Sequence, residues 1–135
     1  MSQNEKTRVA VIGSRRWKDK AAVRLMVGRY LSSAYPKQLR EGIVLVSGGA
    51  DGVDTYAEQW ADAKGVEKDI LYPDYQRYDK FVAPKMRNRE IVDSADYIIA
   101  FWDGFSGGTA HAVAWAIYRG KDPQIVPILD KEVGG

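Results

Sequence analysis

Two stretches of the chain put small residues, hydroxyls and carboxylates where they can meet a phosphate-bearing ligand. In Val44-Leu45-Val46-Ser47-Gly48-Gly49-Ala50-Asp51-Gly52-Val53-Asp54 an apolar run ends in a glycine-rich turn, and a helical pattern starts directly after it. Strand, glycine loop and helix N-terminus together make an anion cradle. Glycine lets a ligand approach the backbone, and the free N–H groups and helix dipole face negative charge. Asp103-Gly104-Phe105-Ser106-Gly107-Gly108-Thr109 repeats the arrangement after another apolar run. The two turns differ in charge. Asp51 and Asp54 compete with phosphate for the N–H groups of the first, which therefore suits ribose hydroxyls or base edges, with Asp51 facing them; the plainer reading is a tight turn with Asp54 as helix cap. Ser106-Gly107-Gly108-Thr109 has a hydroxyl donor and no carboxylate, and makes the better phosphate cradle; its plainer reading is a Gly-Gly turn capped by Thr109. Neither turn is a G-x-G-x-x-G fingerprint or a Walker A loop.

Around these turns stand cations that can close over an anion. Arg15 and Arg16 follow directly on the first apolar run, and Arg87 and Arg89 flank Asn88 in a short basic segment. Guanidinium forks match phosphate oxygens bidentately, and the Asn88 amide can read a base or ribose. The expected ligand-binding set is Gly13, Ser14, Arg15, Arg16, Ser47, Gly48, Gly49, Asp51, Asp54, Arg87, Asn88, Arg89, Gly107, Gly108 and Thr109. His111 is the lone histidine. With no second histidine and no clustered carboxylates, no metal site is expected. His111, Trp115 and Tyr118 share one flank at helical spacing, which reads equally as a self-association face, hence a homo-oligomer, or as a second buried side.

These residues need elements to place them. Arg8 to Gly13, Ile43 to Val46, Asp69 to Tyr72, Tyr97 to Phe101 and Ile125 to Leu129 read as strands; the last contains Pro127 and belongs at an edge. Between them helical spacing predicts a helix capped by Asp19 and ended at Tyr35-Pro36, a second from Val53 to near Gly65, a third over Lys85 to Ser94 and a fourth from Ala110 to Gly120. Residues 74–84 form the longest loop. Apolar strands alternating with helices predict an α/β, three-layer Rossmann-like fold: a doubly wound, mostly parallel five-stranded sheet with helices on both faces. Ligands of such folds sit beyond the carboxyl ends of the strands, where strand order reverses. If the first and fourth strands are neighbours, the loops at Gly13–Trp17, Ser47–Asp54 and Trp102–Thr109 surround one crevice.

At 135 residues the chain is read as a single domain, residues 1–135 with a core over about 8–129. Net charge is +2 and cysteine is absent. So mild a charge argues against nucleic acid as a partner. No apolar run reaches the roughly 18 residues of a membrane span, and Met1 to Arg8 carry no signal core, so a soluble cytoplasmic protein is expected.

Together, Leu45-Val46-Ser47-Gly48-Gly49-Ala50-Asp51-Gly52-Val53-Asp54, Arg87-Asn88-Arg89 and Ser106-Gly107-Gly108-Thr109-Ala110 resemble the SLOG superfamily, the Rossmann-like group of DprA and LOG proteins, and within it the small stand-alone YspA-like branch. The resemblance runs from about Arg8 to Leu129 and implies a nucleotide or nucleotide-derived ligand, bound by a sensor or processing component. Two alternatives come with it. A LOG-like hydrolase would cleave the N-glycosidic bond of a nucleoside monophosphate; Met86 and Arg89 fit its arginine element, making Arg89 the candidate catalytic residue, but the usual glutamate position is Ala112. A DprA-like module would bind single-stranded DNA. Whether the chain is an enzyme stays open at this point, and no cofactor beyond the nucleotide-type ligand is implied.

Overall fold

The computed structural model describes residues 6–15, 17 and 19–128. Five strands, β1 (Thr7–Gly13), β2 (Ile43–Ser47), β3 (Glu67–Ile70), β4 (Tyr97–Trp102) and β5 (Gln124–Pro127), form one sheet in the order β3-β2-β1-β4-β5. Every pairing is parallel. The sheet is thus wholly parallel, and β5 lies at an edge as Pro127 requires. The helices are α1 (Lys20–Ala34), α2 (Pro36–Glu41), α3 (Val53–Lys64), α4 (Ala83–Ser94) and α5 (Gly107–Tyr118).

The central strands are apolar on both faces because both are covered. Val9 and Val11 of β1 join Leu45, Ile99 and Phe101 in a core with Val23, Val27 and Leu31 of α1 and Ala57 and Trp60 of α3. Ala10 and Ile12 point the other way, into a second core with Val46, Ile98, Ile91 and Val92 of α4, and Ala112 and Ala116 of α5. That is period-2 alternation with two apolar destinations.

Helix boundaries have local causes. Asp19 caps α1, its carboxylate accepting from Ala22 N at 3.0 Å. Gly65 closes α3 in the left-handed conformation, φ 69°. Three expectations need correction. Pro36 ends α1 but also starts α2, since a proline at the first helical position sacrifices no hydrogen bond. β3 comprises Glu67–Ile70 rather than 69–72: Ile70 pairs with Ser47 at the end of β2, and Leu71 N then donates to Ser47 O, leaving Tyr72 beyond the ladder. α5 begins at Gly107, so Thr109 is not its cap; Ser106 holds that position. Among the described residues no helix is long and apolar enough to cross a membrane. Leu129 and the tail after it lie outside the described residues.

Candidate functional site

The chain runs outward from β1 to β2 and β3, then returns to lay β4 on the other side of β1. Strand order reverses between β1 and β4, and their carboxyl-end loops open into a cavity of about 480 Å³. Direct contacts hold the loops together. Ser14 N donates to Phe101 O at 3.2 Å, and Ser14 Oγ lies 2.7 Å from Ser106 Oγ, joining the β1 loop to the β4–α5 turn. On the other side Val53 N, the first N–H of α3, reaches Ser14 O at 3.5 Å, and Trp17 Nε1 donates to the same carbonyl at 3.0 Å.

The β2–α3 loop turns its polar groups inward on itself. Gly49 N donates to Ser47 Oγ at 3.3 Å and Ala50 N to Asp54 Oδ2 at 3.2 Å, while Ser47 Oγ donates to Glu58 at 2.6 Å. Arg87 of α4, only 5% exposed, donates from Nη1 to Gly48 O and from Nε to Asn88 Oδ1 at 2.9 Å. Its guanidinium is a tether between α4 and this loop as well as part of the cavity wall. Asp54 is buried beside it, and burial pushes its carboxyl up to about 7, against the lowering influence of the Ala50 N–H and the Arg87 charge. It caps no N–H of α3; the helix cap is Gly52, without a side-chain bond.

The β4–α5 turn is built differently. Asp103 Oδ1 accepts from Phe105 N at 2.7 Å and Ser106 N at 2.8 Å, and Trp102 Nε1 donates to Ser106 O at 3.1 Å, so the turn is rigid up to Ser106. Burial opposes ionisation of Asp103, but those N–H groups and the Ser106 hydroxyl outweigh it and hold the carboxyl below its ordinary value. Beyond Ser106 the helix opens with Gly107, Gly108 and Thr109 and no side-chain cap. A Cβ added at Gly107 or Gly108 would meet nothing within 4 Å. The first N–H groups of α5 and its dipole therefore have backbone, but no side chain, between them and a visiting anion.

Of the expected site residues, Gly13, Ser14, Arg15, Asp54, Arg87, Asn88, Gly108 and Thr109 line the cavity, and Gly107 adjoins it at the start of α5. Ser47, Gly48 and Gly49 stand behind the wall as its scaffold. Asp51 is exposed and off the lining, so Asp54 is the carboxylate of this loop that faces inward. Arg16 lies outside the described residues. Arg89 turns away from the cavity: its Nε lies 3.3 Å from His111 Nε2 and its guanidinium sits 4.3 Å over the Trp115 ring. Burial, Arg89 and Lys85 together lower the His111 pKa, and the imidazole is not part of the lining. Trp115 in turn donates to Asp93 at 2.9 Å, and its ring lies tilted by 34° against that of Tyr118, centroids 5.3 Å apart. Ile12, Ala50, Phe81, Pro84, Lys85 and Asp103 also line the cavity without having been expected there, and Ser106, read as part of the phosphate cradle, lines it too. Asp103 and Ser106 were legible as an Asx-type turn, and Phe81 as an aromatic with no core role in a polar loop.

Comparisons with known proteins agree with this architecture. The model of the YAcAr family, described as the YspA, cpYpsA-related SLOG family, matches residues 7–78. The Gene 61 protein of Mycobacterium phage D29 is 34% identical over 130 residues, covering 91% of this chain and 94% of that protein. DNA processing protein A from Helicobacter pylori, solved for its single-stranded DNA binding mode, superposes with a TM-score of 0.66 at 22% identity, over 93% of this chain and 67% of that one. The Moco carrier protein of Chlamydomonas rheinhardtii gives 0.60 at 17% identity, over 90% and 76%. The Helicobacter pylori likeness overturns the argument that set nucleic acid aside. A chain of this fold binds single-stranded DNA, and a net charge summed over the molecule does not report the local field where Arg15, Lys85 and Arg87 share one cavity.

Proposed function

The chain belongs to the YspA, cpYpsA-related SLOG family, and we propose that it binds a nucleotide or nucleotide-derived ligand in the β1/β4 cavity, as a sensor or processing component. One observation carries this reading: the uncapped start of α5, with two glycines that no internal packing demands, opens beside a cavity lined by Arg15, Lys85 and Arg87. Phosphate fits at Gly107, Gly108 and Thr109, with the Ser14 and Ser106 hydroxyls and the Arg15 and Lys85 charges as further donors. Asp54 stands across the cavity as an acceptor, or near neutral pH a donor, for a sugar or base.

A thermal-shift screen tests it. Mononucleotides, cyclic dinucleotides and ADP-ribose derivatives are offered at high excess; a ligand at a hundredfold its Kd adds about 2.7 kcal/mol and raises Tm by several degrees. If none of them moves Tm, the reading is wrong. Single-stranded DNA is the second reading, favoured by the Helicobacter pylori likeness and by an aromatic and a cation, Phe81 and Lys85, on the cavity lining. Gel shifts at two salt concentrations decide it, because phosphate contacts weaken steeply with salt. LOG-like hydrolysis has less behind it. Arg89 points out of the cavity, and Ala112 is fully buried in the α4/α5 core, where a glutamate would face side chains rather than ligand.

A further inference from the structure

The cavity is far larger than a phosphate needs, and at about 480 Å³ it falls in the size class of sites for whole small molecules. Its inner end offers N–H groups and hydroxyls. Its outer end offers something else: Phe81 lines the cavity while remaining 73% exposed. The core gains little from such a side chain, yet the backbone is built to hold it there. Phe81 N and Val82 N both donate to Asp79 Oδ1 at 2.9 Å, and Ala83 N donates to Asp79 O at 2.9 Å, so the residue enters α4 on a fixed turn. Lys80 Nζ sits 5.2 Å from its ring centroid. Phe105, 90% exposed, projects from the facing turn between Asp103 and Ser106.

We propose that Phe81 is the ring-recognising residue of the cavity, stacking on a planar heteroaromatic ring of the ligand whose phosphate lies at the α5 N-terminus. The inference rests on the reading of the cavity as a nucleotide site and adds which part of the ligand is recognised where. A flat, exposed aromatic face with a lysine beside it suits an electron-rich ring better than an aliphatic tail, and it accepts purines and pyrimidines alike because every base presents a π-face. The sugar then spans the middle of the cavity, past Asp54 and Asn88.

The test compares AMP, GMP and UMP with ribose 5-phosphate, which keeps sugar and phosphate and lacks the ring. Affinities are measured by calorimetry on the wild type and on Phe81→Ala, Phe81→Leu and Phe81→Trp. Alanine is expected to weaken the nucleotides on the order of tenfold, as loss of base stacking does elsewhere, and to leave ribose 5-phosphate unchanged; tryptophan restores the loss and leucine does not. Because the side chain is exposed, all variants should keep the wild-type Tm. Equal nucleotide affinity in wild type and Phe81→Ala overturns the inference while the cavity reading stands, and so does full rescue by leucine. A wild type that binds nucleotides no tighter than ribose 5-phosphate also overturns it. If the wild type binds none of these and no cyclic dinucleotide or ADP-ribose derivative shifts its Tm either, the cavity reading itself fails and takes this inference with it.

Discussion

The two glycine-rich turns look alike in the sequence and are built for opposite purposes. In the β2–α3 loop every glycine answers to a neighbour. A Cβ at Gly48 would come within 2.7 Å of the Arg87 guanidinium, one at Gly49 within 2.9 Å of Tyr72, and one at Gly52 within 2.7 Å of the Arg15 carbonyl. Gly13, which faces this loop, would collide with Val53 at 2.6 Å. In the β4–α5 turn a Cβ at Gly107 or Gly108 meets open space, and neither residue has a positive φ. The first set of glycines is explained by the fold. The second is not, and a glycine that the fold does not need is a better pointer to a ligand than one that it does.

Substitutions that add a methyl group to each turn test this contrast most sharply. Gly52→Ala must place a Cβ at φ 83° against backbone that has no slack; a loss of about 3–5 kcal/mol is expected by urea denaturation. A variant near wild-type stability would show that the first turn is not fold-determined. Asp54→Asn comes next. The folded protein holds this carboxyl at about 7 against an ordinary value of 3.8. Folding therefore takes up a proton between those values, so the stabilising contribution is complete below pH 4 and is lost as pH rises through 7. Asparagine should flatten that decline and leave the variant about 2–4 kcal/mol more stable than wild type at pH 8, with little difference at pH 4; denaturation at both pH values reads it. Gly108→Ala is expected to change stability by less than about 1 kcal/mol, in either direction, while weakening nucleotide binding at least tenfold. Unchanged affinity there would remove the case for the second turn as a phosphate site. Arg89→Ala should leave nucleotide affinity unchanged and lower stability by only about 0.5–1 kcal/mol, from the lost contact over Trp115.

The strands were legible because two apolar faces leave little ambiguity, and the meeting of three loops followed from placing β1 beside β4. What stayed hidden has specific causes. Pro36 carries two meanings, a stop for one helix and a start for the next, and only the chain direction after it chooses. β3 opens with Glu67 and Lys68, exposed at one edge of the sheet, so its apolar signal begins two residues late. In the basic segment, residues 87 and 89 are about 200° apart around a helix, and which of them enters the cavity depends on a helical phase fixed by Ile91 and Val92 packing on the sheet. The role of Asp54 was likewise invisible: an aspartate near a helix start usually caps it, and burial beside Arg87 appears only in three dimensions.

Lys121 Nζ donates to the carbonyls of Val92, Asp93 and Ala95 at 2.6, 3.0 and 2.8 Å, gripping the far end of α4. Arg87 pins the same helix to Gly48 about 8 Å nearer the cavity. A beam supported at two points neither pivots nor slides, so α4 transmits little displacement along its length. The segment that precedes it has supports of its own, Asp74 accepting from Gln76 N and Arg77 N and Asp79 from Phe81 N and Val82 N, so helix and approach together present a preformed wall to a ligand.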